Sequence, residues 1–411
     1  MRKDTAFREE VNSRIDKIMD LIRSGHSTGA IMEQSGSSKS ASALYLEIAR
    51  ARINIEKKFR NWNRLWMDLY SSSFSTPEIV GDYRAGRIRQ KNILDVGSGS
   101  GMQAISFSKF AERVTGVEIN RERYEMSIMN SEVSRANNIK FLWGDYSGFI
   151  NNIHVDGGTA VFSDPLRIRP GPDGKRNLIP PPEIIYGALK NKTENFIFDL
   201  PPLMKQDQIT IVGEKEYISV DGKLQRLTIY TGENAESETS AVILPQGRRF
   251  TGRPGNTDFI NAENIGKFIY LPDVSLIYSG LLSSSVPGDL RIKGRDSRRI
   301  LLTGDEEYGQ DFPGETYAVL CRSVFSDLEK DLKKCGGRRV FFRFEIETDS
   351  YYELKNSIEK NLHGERDIYV FRDQSGLILA EKISYGANFS HLPDFSFSQS
   401  HETFKVLENL H

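Results

Sequence analysis

Cysteine and histidine are scarce in this chain of 411 residues. The two cysteines, Cys321 and Cys335, form neither a Cys-x-x-Cys motif nor a Cys/His array, which argues against a structural zinc site and a disulfide framework. The six histidines do not cluster, so the sequence predicts no metal site and no Ser-His-Asp catalytic set. Such low cysteine use fits a reducing compartment, and we expect a cytoplasmic protein.

Long apolar runs and an excess of charge of one sign are also absent. No run approaches the roughly 18–20 apolar residues that cross a membrane, and residues 1–14 are too charged for a signal peptide. The formal net charge of −1 creates no general attraction for polyanions, so a nucleic acid partner would need a local basic patch. The length suggests two or three domains.

The N-terminal segment, residues 1–74, repeats apolar residues at helical spacing, and we interpret it as a helical region. Trp62 and Trp66 lie four residues apart and therefore share one helix face. The favoured interpretation is that both are core residues that dock this segment on the next domain. The alternative is that they stack on nucleobases.

The middle of the chain, residues 75–232, alternates short buried strands with helices. This alternation predicts a mostly parallel α/β sheet with helices on both faces. Two strand-like runs flank Asp221-Gly222, so the sheet is predicted to end in an antiparallel hairpin. Residues 240–385 close with a β-α-β-α-β-β order, which we interpret as an α+β ferredoxin-like domain. Residues 386–411 are interpreted as a C-terminal tail.

The segment NILDVGSGSG, residues 92–101, contains the first predicted strand of this sheet and the glycine-rich loop that follows it. Gly97, Gly99 and Gly101 alternate with small residues, so the backbone can approach a bulky ligand without obstruction by Cβ atoms. Asp95 precedes them at the strand end, where a carboxylate can pair with a cationic group. A loop that cradles pyrophosphate has little need of that acid, whereas a sulfonium-linked amino acid carries an ammonium group.

Three further acids end later strands of the predicted sheet. Glu118 ends the second strand, Asp145 the third and Asp164 the fourth, at the edge where such sheets bind ligands. An acid at the second strand suits ribose hydroxyls, and one at the third suits an adenine amino group. Each acid alone could be a solvated strand end, but four of them beside a glycine loop predict a cofactor site.

This combination resembles the class I S-adenosylmethionine-dependent methyltransferases over about residues 75–231. The resemblance implies a Rossmann-like, seven-stranded sheet that ends in an antiparallel hairpin, with S-adenosylmethionine as the cofactor. It implies that the residues at the methionine end of the cofactor are Asp95, Gly97, Ser98, Gly99 and Gly101. It also implies that Glu118 binds the ribose, and that Asp145 and its neighbour Tyr146 bind the adenine.

A narrower resemblance, over about residues 75–385, is to bacterial and archaeal methyltransferases with a C-terminal THUMP-like domain. It depends on the segments STPEIVGDYRAGR (75–87), DPLRIR (164–169) and LPDVSLIYSGL (271–281). The family's D-P-A-R-R run corresponds here to an acid, a proline and a first arginine, which implies catalytic roles for Asp164, Pro165 and Arg167. Enzymes that methylate exocyclic base amines commonly carry (D/N)-P-P-(Y/F) here. Leu166 and Arg167 therefore weaken an ordinary adenine-N6 or guanine-N2 mechanism.

The THUMP-like resemblance implies an RNA substrate, either tRNA or rRNA. Three basic clusters, GRRFTGR, RIKGRDSRR and KKCGGRRVFFRF, would suit an RNA-binding surface, although each alone is more often a solvated face. Four basic residues after Asp164 either hold an anion such as phosphate or are solvated: Arg167, Arg169, Lys175 and Arg176. The alternatives are a protein or small-molecule methyltransferase and a non-catalytic, RNA-associated module with a cofactor pocket. The sequence leaves the oligomeric state open.

Overall fold

The computed structural model of the chain describes residues 5–34, 38–149, 152–167, 178–204, 208–256, 259–295 and 299–385. These residues form two compact units, the first within 5–215 and 225–236 and the second within 216–224 and 237–385. The segment interpreted as a C-terminal tail, 386–411, lies outside the described residues. No helix in the described part of the chain combines the length and apolar character of a membrane span.

The first unit begins with helices, as the apolar spacing predicts. They are α1 (Thr5–Arg23), α2 (Thr28–Gln34), α3 (Lys39–Ile55), α4 (Leu69–Phe74) and α5 (Glu78–Arg87). Ile15, Ile18 and Ile48 are buried in a core to which both α1 and α3 contribute. Trp66 is buried in the same core and Trp62 packs against it, which favours the core interpretation of both tryptophans over base stacking.

A mostly parallel sheet follows in the same unit. The strands and helices of the first unit from residue 92 onwards are, in chain order, β1 (Asn92–Val96), α6 (Met102–Ser108), β2 (Arg113–Glu118), α7 (Arg121–Val133), β3 (Ile139–Trp143), α8 (Tyr146–Phe149), β4 (Thr159–Ser163), β5 (Leu166–Arg167), β6 (Leu178–Ile179), α9 (Pro182–Leu189), β7 (Phe196–Leu200) and β9 (Lys223–Tyr230). The strand β8 (Glu214–Val220) precedes β9, and most of β8 belongs to the second unit. Within the first unit the strand order is β9-β7-β4-β1-β2-β3, and β5 pairs with β6 in a separate two-stranded ribbon. The five strands β7, β4, β1, β2 and β3 are parallel to one another.

The winding of this sheet reverses between β1 and β4. The chain adds β2 and β3 on one side of β1, and then crosses to the other side for β4 and β7. Both β4 and β7 are buried along their whole length, as expected for strands covered by helices on both faces. Open α/β sheets bind ligands at the carboxyl ends of the strands where the winding reverses. This rule predicts a ligand site at the carboxyl ends of β1 and β4, on the edge of the sheet where the sequence predicted one.

The last strand of the first unit changes direction. β9 pairs antiparallel with β7, and Phe198 lies opposite Ile229. Asp221 and Gly222, between β8 and β9, have φ angles of 49° and 69°. Two successive positive φ angles are typical of the two-residue type I′ turn that an Asp-Gly pair favours.

The second unit contains a seven-stranded sheet with the order β13-β14-β12-β15-β18-β17-β16. Its elements are β10 (Thr239–Leu244), β11 (Arg248–Gly252), β12 (Phe268–Pro272), α10 (Val274–Ser279), α11 (Leu282–Ser285), β13 (Arg291–Arg295), β14 (Ile300–Gly304), β15 (Gly314–Ser323), α12 (Leu328–Lys334), β16 (Gly337–Phe342), α13 (Thr348–Glu359), β17 (Arg366–Asp373) and β18 (Gly376–Lys382). β10 and β11 form an antiparallel pair. The second unit thus combines helices with a large sheet, as the α+β prediction for residues 240–385 requires.

The ferredoxin-like interpretation of this unit is wrong. The elements from β15 to β18 do follow the predicted β-α-β-α-β-β order, but a ferredoxin-like domain has the order β-α-β-β-α-β. Here β16 and β17 are parallel neighbours. Parallel neighbours need a crossover connection, which α13 supplies, and cannot be joined by a tight hairpin. The sequence pattern predicted the elements but not their pairing.

Candidate functional site

A cavity of about 440 Å³ opens in the first unit at the carboxyl ends of β1, β2 and β4. Its volume lies within the range of small-molecule sites. The predicted site residues that line it are Asp95, Gly97, Ser98, Gly99, Glu118, Asp164 and Pro165. The parallel sheet brings these residues together because each lies at or just after the carboxyl end of a strand.

The glycine loop leaves β1 through residues with left-handed backbone. The φ angle is 79° at Gly97 and 57° at Gly99, a region that residues with a side chain rarely adopt. The N–H groups of Gly97 and Ser98 both donate to the carbonyl of Val117, at 2.9 and 3.0 Å. A Cβ added at Gly97 or Gly99 would meet no protein atom within 4 Å. The loop is thus held against the end of β2, and its backbone is open to a ligand.

Glu118 joins the glycine loop to the start of α7. Its Oε2 accepts a hydrogen bond from the N–H of Gly99 at 2.7 Å, and its Oε1 accepts one from the N–H of Asn120 at 2.8 Å. Each carboxylate oxygen has a further lone pair, so Glu118 can still accept from the hydroxyl groups of a ribose. The structure therefore adds a loop-holding role that the sequence did not reveal.

Asp95 is a buried acid of the cavity wall, and one of its carboxylate oxygens has no hydrogen-bond partner. It is 1% exposed, and its Oδ2 is buried without a hydrogen-bond partner. Burial, followed by the charges of Asp164 and Glu118, raises the pKa of Asp95 to about 8, and Arg84 partly opposes this effect. A buried polar atom without a partner is unfavourable. The site is therefore suited to a ligand that places a cationic or donor group beside this carboxyl.

Asn130 is a site residue that the sequence analysis missed. It is fully buried on α7, and its Nδ2 donates to the carbonyls of Ser100 and Trp66, both at 2.9 Å. Its Oδ1 accepts from the N–H of Trp66 at 2.8 Å. One side chain thus fixes the glycine loop to the N-terminal helical segment. The only sequence signal was a polar residue within an amphipathic helix.

Three predicted cofactor residues, Gly101, Asp145 and Tyr146, are not among the described residues that line the cavity. Asp145 is exposed and accepts a hydrogen bond from the N–H of Ser147 at 2.8 Å. Hydrogen bonding to the side chain of Ser147, and then to its backbone N–H, lowers the pKa of the Asp145 carboxyl. Ile119 and Asn120, which follow Glu118, line the cavity instead. The adenine-binding role of Asp145 and Tyr146 stays a prediction.

A further part of the cavity wall follows β4. Asp164, Pro165 and Leu166 line it, and Arg167 continues from them in β5 with its backbone opposite Leu178 of β6. The remaining residues of interest in this segment, Ile168, Arg169, Lys175 and Arg176, lie outside the described residues. The catalytic roles of Asp164, Pro165 and Arg167 stay predictions.

Many basic residues of the three clusters form ion pairs or hydrogen bonds with other residues of the second unit. Their ion pairs include Arg249–Glu216, Lys293–Asp373, Lys333–Glu329, Lys334–Asp331, Arg338–Asp367, Arg339–Asp367 and Arg343–Glu315. Arg248 donates to the backbone carbonyls of Gln310, Asp311 and Phe312, and Arg298 lies outside the described residues. A count of arginines and lysines therefore overstates the net positive charge of these clusters.

Gly101→Ala is expected to destabilise the protein. A Cβ at Gly101 would lie 2.8 Å from Cβ of Ser127 and 2.9 Å from Cζ of Phe141, at a φ of 84°. Backbone strain and overpacking together should lower the free energy of unfolding by about 2–5 kcal/mol, which urea unfolding measures. Gly148→Ala is the matched control, because a Cβ there meets no atom within 4 Å. Equal effects of the two substitutions would contradict this prediction.

Comparisons with known proteins show that parts of this chain are similar to methyltransferases. The sequence profile of a family described as RNA cap guanine-N2 methyltransferase matches residues 90–167, which contain the glycine loop and β1 to β5. An uncharacterized RNA methyltransferase from Clostridium acetobutylicum is 30% identical over 112 residues, which cover 26% of this chain and 24% of that protein. The chain thus matches about a quarter of the length of this curated relative.

A solved structure resembles the chain over nearly its full length. It is that of a methyltransferase candidate from Porphyromonas gingivalis W83, with a TM-score of 0.68 and 18% sequence identity. The similarity covers 93% of this chain and 100% of that one. At this level of identity the comparison shows a shared fold.

Proposed function

We propose that this protein is an S-adenosylmethionine-dependent methyltransferase that acts on RNA. The observation that carries the proposal is the buried carboxyl of Asp95, whose Oδ2 has no partner, beside the glycine loop where the winding of the sheet reverses. The ammonium group at the methionine end of the cofactor would satisfy this carboxyl. The family match over residues 90–167 and the RNA methyltransferase relative support the same activity.

The chain's own residues would hold the two reactants in line and exclude water. S-adenosylmethionine supplies an activated methyl group, whose transfer leaves a thioether and requires the acceptor to lose a proton. Gly97, Ser98 and Gly99 lie against the methionine end in this proposal, and Glu118 accepts from the ribose hydroxyls. Asp164 lies on the acceptor side, where a carboxylate can accept a hydrogen bond from an acceptor amine.

The finer assignments are also proposals. We propose tRNA or rRNA as the substrate, and a role in RNA binding for residues 240–385, as the THUMP-like resemblance implies. Several arginines of the second unit already form ion pairs with its own acids, which limits how much positive charge is left to attract RNA. The low cysteine content supports a cytoplasmic location.

Methyl-labelled cofactor and total RNA from a strain that lacks the gene provide the test. The purified protein should label RNA, and mass spectrometry of nucleosides from strains with and without the gene should identify one methylated nucleoside. Label in a protein or metabolite fraction instead would refute the RNA substrate. Cofactor binding without label in any fraction would refute the enzymatic activity.

Cofactor affinity is expected to rise with pH. The pKa of Asp95 is raised to about 8 in the free protein, so Asp95 is mostly protonated at pH 6, and a cationic ligand must displace that proton. The affinity for S-adenosylhomocysteine should therefore increase between pH 6 and pH 8, by up to roughly fiftyfold, the ratio of the deprotonated fractions.

Calorimetry in buffers with different ionisation enthalpies measures both this affinity and the proton release. Asp95→Asn should remove the proton release and flatten the pH profile. The raised pKa of Asp95 also affects the stability of the free protein. The stabilisation that arises from protonation of this carboxyl is fully present below pH 4 and is lost as pH rises towards 8, because the folded state binds the extra proton. A wild-type affinity that does not depend on pH would contradict the prediction.

A further inference from the structure

Two aromatic side chains remain exposed at the cavity, outside the residues assigned to the cofactor. Tyr70 and Phe74 lie one helical turn apart on α4 and line the cavity, with ring centroids 4.7 Å apart. Phe74 is 53% exposed and Tyr70 is 37% exposed. Exposed aromatic groups at a cavity are typical of a surface that binds a ligand or partner. We call Tyr70 and Phe74 the aromatic rim.

The start of α4 is held by the cofactor-binding part of the unit. The Asp68 carboxylate accepts a hydrogen bond from Nε of Arg123, on α7, at 2.8 Å. The guanidinium of the same Arg123 lies over the ring of Tyr70, 5.0 Å from its centroid. One arginine therefore fixes both the helix start and the first ring of the aromatic rim.

The end of α4 is held by two further cations. Nζ of Lys58 donates to the carbonyl of Ser72 at 2.9 Å, and Nη2 of Arg226 donates to the carbonyl of Phe74 at 2.9 Å. These carbonyls have no partner within the helix, so the two cations stabilise its last turn. A six-residue helix fixed at both ends presents its exposed rings in a defined position. Preorganised rings lose little conformational freedom when they bind a partner.

The ribbon of β5 and β6 forms an apolar wall of the same cavity. Leu166 and Ile179 line it and are exposed, Ile179 by 50%, and Pro165 and Pro180 line it beside them. Neither strand of the ribbon contains an aromatic residue. Phe59 and Phe162 also line the cavity but are buried, so among the described lining residues the exposed rings are those of α4.

We infer that the aromatic rim stacks on the acceptor base, and that the acceptor is an unpaired nucleobase of RNA. This inference rests on the proposed function and identifies the acceptor-binding surface. A nucleobase offers flat faces to an aromatic ring and to aliphatic side chains, and such stacking is independent of base sequence. A base in a duplex has both faces covered by its neighbours, so it must leave the stack to reach the rim.

Phe74→Ala is the direct test, with total RNA from the deletion strain as the probe. We expect the concentration of RNA that gives half-maximal transfer to rise at least about fivefold, because one stacking contact is lost. The dissociation constant of S-adenosylhomocysteine should stay within twofold of the wild type. Phe74→Trp should restore transfer to within about threefold. Phe110→Ala removes an aromatic ring that is also exposed but does not line the cavity, and it should leave both values unchanged.

The outcomes separate this inference from the proposed function. If Phe74→Ala loses cofactor affinity by the same factor as RNA, α4 covers the cofactor and the inference is wrong. An unchanged RNA dependence in Phe74→Ala would overturn it as well, as would equal transfer to fully paired and unpaired acceptor strands. A wild-type protein that labels no RNA would instead refute the proposed function.

Discussion

Asp95→Asn is expected to weaken the binding of S-adenosylhomocysteine at least about thirtyfold at pH 8 while the protein stays folded. The substitution keeps the shape of the side chain but removes the negative charge that, in our proposal, faces the ligand's ammonium group. Loss of one partner of a desolvated charge pair typically costs about 2–5 kcal/mol, and about 1.4 kcal/mol corresponds to a factor of ten in affinity. Isothermal titration calorimetry measures the change.

The fold should tolerate this substitution, which makes the result specific to binding. In the free protein the Asp95 carboxyl is buried and its Oδ2 has no partner, so a neutral amide removes an unfavourable charge at pH 8. We expect a melting temperature equal to or above that of the wild type. Asp156→Asn is the matched control, because Asp156 is exposed and precedes β4 at the opposite, amino edge of the sheet. If both variants bind like the wild type, the cofactor assignment is wrong.

Arg84→Ala is expected to lower the free energy of unfolding by about 3–5 kcal/mol. Nη2 of Arg84 donates to both carboxylate oxygens of Asp199, at 2.7 and 2.5 Å, and both side chains are fully buried. Thr228 also donates to Asp199, and Arg226 lies 3.6 Å away from it. Without Arg84 the Asp199 charge stays buried with weaker compensation. Denaturant unfolding followed by circular dichroism measures the loss.

Two further variants define the origin of that effect. Arg84→Ala combined with Asp199→Asn removes the uncompensated charge and should recover part of the lost stability. Arg60→Ala is the matched control, because Arg60 is 61% exposed and pairs with Glu78 at 3.5 Å; exposed pairs contribute about 0–1 kcal/mol. A loss in Arg84→Ala no larger than that in Arg60→Ala would show that the buried pair does not stabilise the fold.

The parts of the site that are local in the chain were predictable from the sequence. The glycine loop between β1 and α6, and the acid at the end of β2, depend on a strand, a tight turn and a helix that follow each other directly. Three positive φ angles at alternate positions require glycine, so the sequence pattern and the backbone geometry carry the same information. The alternation of strands and helices likewise predicted a parallel sheet, because parallel neighbours need crossover helices.

Contacts between distant segments could not be predicted in this way. Asn130 joins α7 to the glycine loop and to Trp66, and Arg84 joins α5 to Asp199 of β7. Neither residue type nor local spacing indicates which buried partner such a side chain reaches. The pairing of β16 with β17 was missed for the same reason, since the order of elements does not specify their neighbours in a sheet.

The sequence by itself determined the glycine loop, the order of the elements and the acids at the strand ends. The tertiary structure decided how those acids differ. Glu118 is satisfied by two backbone N–H groups, Asp145 is exposed, and Asp95 is buried with an oxygen that has no partner. The tertiary structure also decided that α4 presents its aromatic rim at the cavity. Burial and hydrogen-bond partners depend on which distant segments pack around a side chain, and that information is absent from any short stretch of sequence.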